Sequence, residues 1–547
     1  MKNGTPDAAD FLVIGSGAAG GVMAKELATA GFRVVVLEQG PWLKAGDFRH
    51  DEVSVAYRSG LTNNHQLQPN TFRSAPGERA KLKPAVEYGR MVGGGSVHFT
   101  ANYWRFHPDD FRERSVYGGV PGADLRDWPI TYAELEPYYT KAEQELGISG
   151  LGGVNPFEGA RSKPYPLPPM PVKSSGVLLE RAARKLGLHP YPAPVAVLSQ
   201  PYRGRGACVH CGFCESFGCE MNAKSSTLAA LIPAAVKTGR CEIRPHSYVR
   251  KIEVGKDGRV TGAVYFDRDR REVFQRARAV VLCANGAETP RLLLESKSNL
   301  FPHGLGNNHG TVGKYLMFDA GGLVLGLCER PVNEYKSVVA TRVLHDFYAA
   351  DAKRGFYGGG GLDARMDYYP AGFAMTGLPP DEPAWGAEWK RKVSQYYTRL
   401  TGVLAHSTCL AVETNSISLD AEVEDAWGLP AIRVTFRNHG DDLKTVEFLA
   451  ARQKEILEAA GCTKVWPDAS SFETSYSRHL MGTCRMGNDP RSSVVDRWNR
   501  AHEVANLFIV DGSSLVTSGR QQPTATIQAL AYRAAEHVGE AARRGEV

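Results

Sequence analysis

The sequence predicts an α/β fold, α+β overall, in which a Rossmann-type nucleotide-binding domain is interleaved with a second domain built on an antiparallel sheet. The first observation is a strand, a glycine-rich turn, a helix and a second strand in immediate succession within residues 10–40. The second is the alternation of apolar and polar positions within residues 401–436, which is typical of antiparallel strands. The length of 547 residues is enough for roughly two to four domains with a large buried core.

The N-terminal unit has the order that dinucleotide binding requires. Residues 11–14 read as a buried strand, a G-x-G-x-x-G turn follows at once, and residues 33–37 read as a second strand that ends in an acidic residue. The glycines permit the tight turn, the close approach of a pyrophosphate and the packing of helix on strand, and the helix N-terminus receives the phosphates. The acidic residue is placed to bind ribose hydroxyls. The predicted contacts are Gly15, Gly17, Ala18, Ala19, Gly20 and Glu38.

Later segments favour FAD over a nicotinamide dinucleotide, a choice that the glycines alone do not make. Residues 89–98 read GRMVGGGSVH, and three consecutive glycines offer bare backbone along a flavin or its diphosphate. Residues 279–294 predict a strand, a small-residue turn and a helix, and residues 506–512 predict a strand that ends in Asp-Gly. A proline then suits the first turn of a final helix. The further predicted cofactor contacts are Arg90, Gly94, Gly95, Ser96, Ala284, Asp511, Gly512, Pro523 and Thr524.

Four of the ten cysteines crowd into residues 208–219, with the spacing C-x2-C-x2-C-x4-C. Short, staggered thiolate spacing in a glycine-containing loop suits an iron–sulfur cluster, either 3Fe-4S or 4Fe-4S. A structural zinc site and disulfides or free thiols stay open, although zinc usually takes two C-x2-C pairs set further apart, and close neighbours form disulfides poorly. The following residues 223–237 read as a helix whose N-terminus would face the cluster. The predicted ligands, three or all four, are Cys208, Cys211, Cys214 and Cys219.

The charge pattern argues against a nucleic-acid partner. The net charge is +6, and charges of both signs are interspersed without a basic block. No run of 18 apolar residues is present, so we expect no membrane span and contact with a membrane only through partners. The N-terminus lacks the layout of a signal peptide. We therefore expect a periplasmic protein that is exported together with a signal-bearing partner, or otherwise a cytoplasmic protein.

Taken in order, the motifs resemble those of the glucose–methanol–choline (GMC) flavoprotein oxidoreductases. The matches within residues 10–535 are the N-terminal glycine-rich unit, GRMVGGGS, ANGAETPRLLL, VGKYLMFD, HLMGTCRMG and NLFIVDGSS with PTATIQALA. Within that family, the cysteine loop resembles the catalytic subunits of bacterial FAD-dependent sugar dehydrogenases, such as glucose dehydrogenase and glucoside 3-dehydrogenase. The resemblance implies FAD, an iron–sulfur cluster, a small signal-bearing subunit and a cytochrome as electron acceptor.

The resemblance also implies roles for individual residues. His479 stands where the family has its catalytic histidine, and histidine is the natural base for a hydroxyl proton at neutral pH. Gln522 occupies the slot where members usually have a second His or Asn. Because glutamine can donate or accept a hydrogen bond but cannot act as a base, we expect it to orient the substrate. Val249 resembles the position whose backbone contacts the adenine. His98 matches a histidine that some relatives attach covalently to the flavin, and packing against the flavin edge is the alternative.

The family pattern predicts interleaved domains. The FAD-binding domain would comprise residues 1–120, 200–315 and 475–547, the connecting or lid region residues 121–199, and the substrate-binding domain residues 316–474. The predicted function is an FAD-dependent dehydrogenase that oxidises a hydroxyl of a sugar or glycoside to a carbonyl. Hydride goes to flavin N5, and electrons pass through the cluster to an external acceptor such as a cytochrome. The alternative is a GMC alcohol oxidase or dehydrogenase for a non-sugar alcohol, with a structural cysteine loop. His479 argues against a non-enzymatic electron-transfer subunit.

Overall fold

The computed structural model describes residues 8–57, 60–319, 321–468 and 478–547. The strands are β1 (Ala9–Ile14), β2 (Val34–Leu37), β3 (Asn70–Arg73), β4 (Lys81–Leu82), β5 (Tyr191–Pro192), β6 (Cys241–Arg244), β7 (Tyr248–Val254), β8 (Val260–Phe266), β9 (Glu272–Leu282), β10 (Leu323–Leu327), β11 (Arg342–Leu344), β12 (Gly360–Ala364), β13 (Leu400–Ser407), β14 (Ser416–Glu424), β15 (Pro430–Thr435), β16 (Lys464–Pro467) and β17 (Leu507–Ile509). The helices are α1 (Ala18–Thr29), α2 (Glu113–Tyr117), α3 (Tyr132–Leu146), α4 (Ser174–Lys185), α5 (Thr227–Ala230), α6 (Ile232–Lys237), α7 (Asn285–Glu295), α8 (Pro370–Gly372), α9 (Gly386–Tyr397), α10 (Gly440–Ala459) and α11 (Thr524–Arg543).

The N-terminal unit forms the parallel part of a seven-stranded sheet of Rossmann type. The strand order is β6-β2-β1-β9-β8-β7, with β17 paired to β9. Pairing is parallel among β6, β2, β1, β9 and β17, and antiparallel among β7, β8 and β9. In this register Ile14 lies beside both Leu37 and Leu282, so the carboxyl ends of three strands share one edge of the sheet. In open α/β sheets, ligands bind outside this edge. Helices α1 and α11 pack against each other over the sheet.

A six-stranded antiparallel sheet faces this edge, in the order β16-β10-β13-β12-β11-β5. Strand β13 lies inside it, and α10 covers β13 on one side. The antiparallel strands predicted within residues 401–436 are therefore present, but they belong to two sheets. Strands β14 and β15 join β3 and β4 in a separate four-stranded sheet, because β15 pairs in parallel with β3. The domain boundaries derived from the sequence remain a prediction.

The helix predicted over residues 223–237 is shorter and divided. Helix α5 begins at Thr227, where the Ser226 hydroxyl accepts a hydrogen bond from Ala229 N and caps the first turn, and Ile232 starts α6. The first amide of α5 donates to the hydroxyl of Ser96, at 3.0 Å, so it is engaged by the glycine-rich segment 89–98. The expected contact between the helix N-terminus and a cluster remains a prediction. Within the described ranges, no helix combines the length and apolar character of a membrane span.

Candidate active site

A cavity of about 750 Å³ extends from the carboxyl edge of the parallel strands to the face of the six-stranded sheet. Its volume lies within the range of about 300–1,000 Å³ that is usual for small-molecule and cofactor sites. The predicted cofactor residues on its wall are Gly15, Gly17, Ala18, Ala19, Glu38, Gly94, Gly95, Ser96, His98, Val249, Ala284, Asp511, Gly512, Pro523 and Thr524. The predicted catalytic residues His479 and Gln522 line the same cavity. One space thus brings together segments from both ends of the chain.

The two glycine-rich loops meet through bare backbone. A Cβ atom added to Gly94, whose φ is +52°, would lie 2.7 Å from the Gly17 Cα atom. A Cβ atom on Gly95 would meet nothing within 4 Å, because that face opens into the cavity. Gly20 does not line the cavity, but a Cβ there would lie 1.9 Å from the Gly15 carbonyl oxygen. These positions therefore leave room for a cofactor on one side and force close helix–strand packing on the other.

Glu38 is buried at the end of β2, and its carboxylate is held by its neighbours. It accepts hydrogen bonds from the amide and hydroxyl of Ser16, at 3.1 and 2.8 Å, and from the amide of Gly40, at 3.0 Å. Burial raises the pKa of Glu38, although these donors oppose that rise. Arg90 does not line the cavity, and its guanidinium lies 6.0 Å from the centroid of the Trp427 ring.

His98 presents an unsatisfied nitrogen at the cavity. Its Nε2 atom is buried without a hydrogen-bond partner among the described residues, and its carbonyl accepts a hydrogen bond from Ser216 N at 2.8 Å. Burial, assisted by the charges of Lys224 and Arg478, lowers the pKa of His98 to about 3, so the ring is neutral. The unsatisfied nitrogen, the exposed glycine backbone and the acidic residue at the end of β2 are features that suit bound FAD, and in these respects the residues present fit that cofactor.

His479 and Gln522 are the two residues that the sequence offers for the chemistry. The Nδ1 atom of His479 lies 3.1 Å from Oδ2 of Asp319, and the side chain is 26% exposed. If Nδ1 carries the proton and donates it to this carboxylate, Nε2 is left as a proton acceptor. Gln522 is buried, with its Nε2 atom 2.5 Å from Nε2 of His406 and its Oε1 atom without a partner among the described residues.

Sequence reasoning missed Asp319 and His406 as site residues. Asp319 ends the VGKYLMFD segment and lies between two imidazoles, because His406 Nδ1 is 2.5 Å from the same oxygen that faces His479. Burial opposes the charged form of each group, but their attraction prevails. His406 holds the pKa of Asp319 well below its usual range, and Asp319 raises the pKa of His406 to about 9. The ion pair joins strand β13 to a segment 87 residues earlier in the chain, which no local pattern reveals.

A wall of paired charges completes the cavity beside the six-stranded sheet. The buried guanidinium of Arg365 donates to both oxygens of Asp363, at 2.5 and 2.6 Å, and lies 3.5 Å from the carboxylate of Asp367. Glu215 is the next acid along this wall. Burial, with repulsion from Asp367, raises the pKa of Glu215 to about 8. Arg478 lies 3.6 Å from Glu215. The wall therefore offers both donors and acceptors to a polar ligand.

The cysteine loop touches this cavity directly, because Glu215 and Ser216 belong to both. The four thiols line a small adjoining cavity of about 20 Å³ together with Lys224. The buried Lys224 ammonium donates to the carbonyls of Phe99, Cys214 and Phe217, at 3.0, 2.6 and 2.7 Å, and so ties this loop to the glycine-rich loop. In the part of the chain that the structure describes, no group of three His, Cys, Asp or Glu side chains is arranged around a single metal ion. The donor set itself, four clustered thiols, is the one that iron–sulfur clusters use.

Comparison with known proteins agrees with this geometry. Residues 9–319 and 411–531 match the N-terminal and C-terminal family models described as GMC oxidoreductase. The chain is 34% identical over 540 residues to 2-methyl-1,2-propanediol dehydrogenase of Mycolicibacterium austroafricanum, covering 97% of this chain and 95% of that protein. It is 29% identical over 560 residues to the fructose dehydrogenase large subunit of Gluconobacter japonicus, covering 98% and 99%. The crystal structure of a formate oxidase superposes with a TM-score of 0.67 at 15% identity over 100% of both chains, a likeness of fold.

Proposed function

The chain belongs to the GMC oxidoreductase family, and we propose that it oxidises one hydroxyl of a sugar or glycoside to a carbonyl and passes the electrons to an external acceptor through an iron–sulfur cluster. The enzyme class follows from the family: it is an FAD-dependent oxidoreductase that acts on CH–OH donors. The proposal adds to this class a sugar as substrate, an iron–sulfur cluster, and an external acceptor such as a cytochrome. The observation that carries the oxidation of a hydroxyl is one cavity lined by the glycine-rich loops, His479 and Gln522.

His479 is the proposed base. FAD, when bound, supplies the hydride acceptor for the carbon-bound hydrogen. The chain must then take the hydroxyl proton, and His479 can do so at Nε2 while Asp319 holds Nδ1–H at 3.1 Å. Gln522 is proposed to orient the substrate oxygen, since an amide can donate a hydrogen bond without changing its charge. Oxidation thus removes one hydride and one proton from the alcohol, and a carbonyl forms.

The charged wall supports a substrate with several hydroxyl groups. Arg365, Asp367, Tyr368 and Thr376 all line the cavity and together offer hydrogen-bond donors and acceptors. A site that is built to hydrogen-bond hydroxyl groups discriminates strongly against molecules that lack them, because its buried polar groups would lose their partners. A sugar or glycoside offers several hydroxyl groups to such a wall, whereas a simple aliphatic alcohol offers one.

The cluster is proposed on the cysteine loop. An iron–sulfur cluster, when bound, supplies a one-electron carrier. The four thiols would hold it, and Lys224 would place a buried positive charge beside an anionic group. Ser216 lies in the loop and donates its amide proton to the His98 carbonyl, so the loop and the flavin pocket share a hydrogen bond.

A partner subunit and a periplasmic location belong to the same proposal. One relative of nearly the same length is named a large subunit, which supports a complex with a further chain. Size-exclusion chromatography with light scattering of the protein purified from its own cells tests this point. A monomer that reduces its physiological acceptor at full rate would argue against a required partner.

The enzymatic proposal is tested with purified holoenzyme and a panel of sugars, glycosides and small diols. We expect sugar-dependent reduction of an artificial dye that exceeds reduction of oxygen. His479→Ala should retain FAD and lose at least about 100-fold in kcat, as expected for removal of a general base. His189→Ala is the control, because His189 is exposed and pairs with Asp346. Full activity of His479→Ala would contradict the assignment.

One observation favours a second candidate, a dehydrogenase or oxidase for a small non-sugar diol. The relative at 34% identity is named for 2-methyl-1,2-propanediol. In this case the cysteine loop would be structural, and a diol would give a higher kcat/KM than any sugar in the same panel. Iron and sulfide analysis separates the two candidates further, because a structural loop would carry neither.

A further inference from the structure

We propose that His406 is a positioning residue of the reaction, which turns the side-chain amide of Gln522 so that its NH2 group faces the substrate oxygen. This role rests on CH–OH oxidation in the cavity, and it depends on neither the sugar nor the cluster. Gln522 and His406 both line the cavity, and the imidazole of His406, on strand β13, lies directly against the side-chain amide of Gln522.

Both ring nitrogens of His406 have polar partners. It is 6% exposed, and its Nδ1 atom lies 2.5 Å from Oδ2 of Asp319. Its Nε2 atom lies 2.5 Å from the amide of Gln522, nearer than Oδ2 of Asp363 at 3.4 Å. Both oxygens of Asp363 also accept hydrogen bonds from Arg365, and Nη2 of Arg365 lies 3.3 Å from His406 Nε2. The amide of Gln522 is thus the polar group nearest to His406 Nε2.

The protonation state of His406 decides which way this amide turns. When both ring nitrogens carry protons, Nδ1–H donates to Asp319 and Nε2–H requires an acceptor, which is Oε1 of Gln522. A half-turn of the amide exchanges its oxygen and nitrogen. Oε1 then meets the ring, and the NH2 group points into the cavity as a donor. When Nε2 carries no proton, the NH2 group donates to the ring and Oε1 faces the cavity. An oxygen cannot stabilise negative charge that develops on the substrate oxygen.

The surroundings favour the doubly protonated ring at neutral pH. The titratable and charged groups that face His406 are Asp319, Asp363, Arg365, His345 and His479. Burial and Arg365 oppose the positive charge, but Asp319 and Asp363 outweigh them and raise the pKa of His406 to about 9. Burial keeps His345 neutral, since it lowers the pKa of that ring to about 3. The donor orientation of Gln522 should therefore hold below about pH 9 and be lost above it.

A double-mutant cycle tests the coupling in the FAD-loaded, full-length protein. The variants are His406→Gln, Gln522→Ala and both together, and the measurement is the anaerobic rate of FAD reduction by an accepted alcohol across pH 6–10.5. We expect His406→Gln to lower this rate about 100-fold, as for loss of one transition-state hydrogen-bond donor, and to abolish the fall near pH 9. In the Gln522→Ala background, His406→Gln should cost less than about threefold. If the loss of rate in the double variant equals the product of the losses in the two single variants, the two residues act independently and the proposal is wrong.

His345→Gln is the matched control. The Trp104 ring contacts both histidines, with its centroid 5.6 Å from that of His345 and 5.8 Å from that of His406. Replacing His345 therefore disturbs the same aromatic cluster without removing the ring that faces Gln522, and the pH profile should keep its fall near pH 9. If His345→Gln removes this fall as His406→Gln does, the effect is structural and the proposal fails.

If His406→Gln does not fold, Gln522→Glu provides a second test. A glutamate still accepts a hydrogen bond from the His406 ring, but its ionised carboxylate has no proton to donate to the substrate. We expect a loss of about 100-fold. Full activity of Gln522→Glu would overturn the donor role.

A measurement without substrate separates this proposal from the enzymatic one. ¹⁵N spectra of the histidine-labelled holoenzyme, with His345→Gln and His406→Gln used for assignment, report the protons on each ring. We expect His406 to carry two ring protons at pH 7.5. A neutral His406 at that pH would overturn the role even in an active enzyme, whereas failure of every alcohol to reduce FAD would count against the proposed function instead.

Discussion

Replacing Asp319 by asparagine should inactivate the enzyme while leaving its fold and FAD in place. The carboxylate lies 2.5 Å from Nδ1 of His406 and 3.1 Å from Nδ1 of His479, so one substitution removes the partner of both rings. Asparagine has the same shape, but it carries no charge to hold His406 protonated. Its NH2 group can also face His479 and select the wrong tautomer.

The size of the effect follows from the electrostatics. Against the cost of burial, Asp319 and, to a smaller extent, Asp363 raise the pKa of His406 from 6.5 to about 9, which corresponds to about 3 kcal/mol shared between the two carboxylates. Because the folded-state pKa of His406 lies above the unfolded value, this stabilisation is complete below pH 6.5 and is lost as the pH rises through about 9. The depressed pKa of Asp319 sets the acid limit, since its contribution is lost as the pH falls below about 3.8. Asp319→Asn should therefore lower the melting temperature at pH 6–7 and have little effect on it above pH 9.

The assay is anaerobic reduction of FAD by an accepted alcohol, followed by its absorbance in stopped flow. We expect a decrease of about 1,000-fold in Asp319→Asn, because loss of the carboxylate behind a catalytic histidine has an effect of this order or larger. Asp420→Asn is the matched control. Asp420 is also buried and pairs with Arg433 and Thr71, but it lies in the four-stranded sheet. A rate within threefold of wild type for Asp319→Asn, or an equal loss for Asp420→Asn, would refute the reasoning.

Two further predictions concern the cofactors. Gly94→Ala should lower the FAD content per chain, measured by flavin absorbance, because its Cβ would lie 2.7 Å from the Gly17 Cα atom at a φ of +52°. Gly310→Ala, with a φ of +66° and nothing within 4 Å of its Cβ, should keep its FAD, and equal losses in both would contradict the steric cause. Lys224→Met should lower the iron and sulfide content, because its Nζ atom donates to the carbonyl of Cys214 at 2.6 Å and helps to hold the cysteine loop. Unchanged iron content in Lys224→Met would show that the ammonium has no part in holding a cluster.

Local patterns predicted the parts of the fold whose partners are close in sequence. The strand, glycine turn and helix predicted at the N-terminus appear as β1, the close backbone packing of Gly15 on Gly20, and α1. These elements follow from the order of apolar and small residues and from the conformational needs of glycine. The pairing of β15 with β3 was not predictable in the same way, because it joins segments that are remote in the chain and leaves no periodic signal.

The same distinction between local patterns and long-range contacts applies to the candidate site. The glycines, His479 and Gln522 lie in short motifs, and the sequence could point to them. Asp319 and His406 acquire their roles only through contact, since a buried carboxylate and a strand histidine carry no signature until the fold places them 2.5 Å apart. For the short helices after the cysteine loop, a local pattern was present but predicted the wrong structure. Their composition reads as one helix, but the Ser226 cap and the break before Ile232 divide it.

The most direct test of the central claim is an anaerobic titration of the purified protein with candidate sugars, followed by visible and EPR spectra together with iron and sulfide analysis. The account predicts stoichiometric FAD, about three or four iron atoms per chain with matching sulfide, and a flavin that bleaches on sugar addition while an iron–sulfur signal changes. A flavin that bleaches in a protein without iron would contradict the relay and leave an alcohol dehydrogenase or oxidase with a structural cysteine loop. A flavin that no sugar or alcohol bleaches would contradict the proposed chemistry at His479.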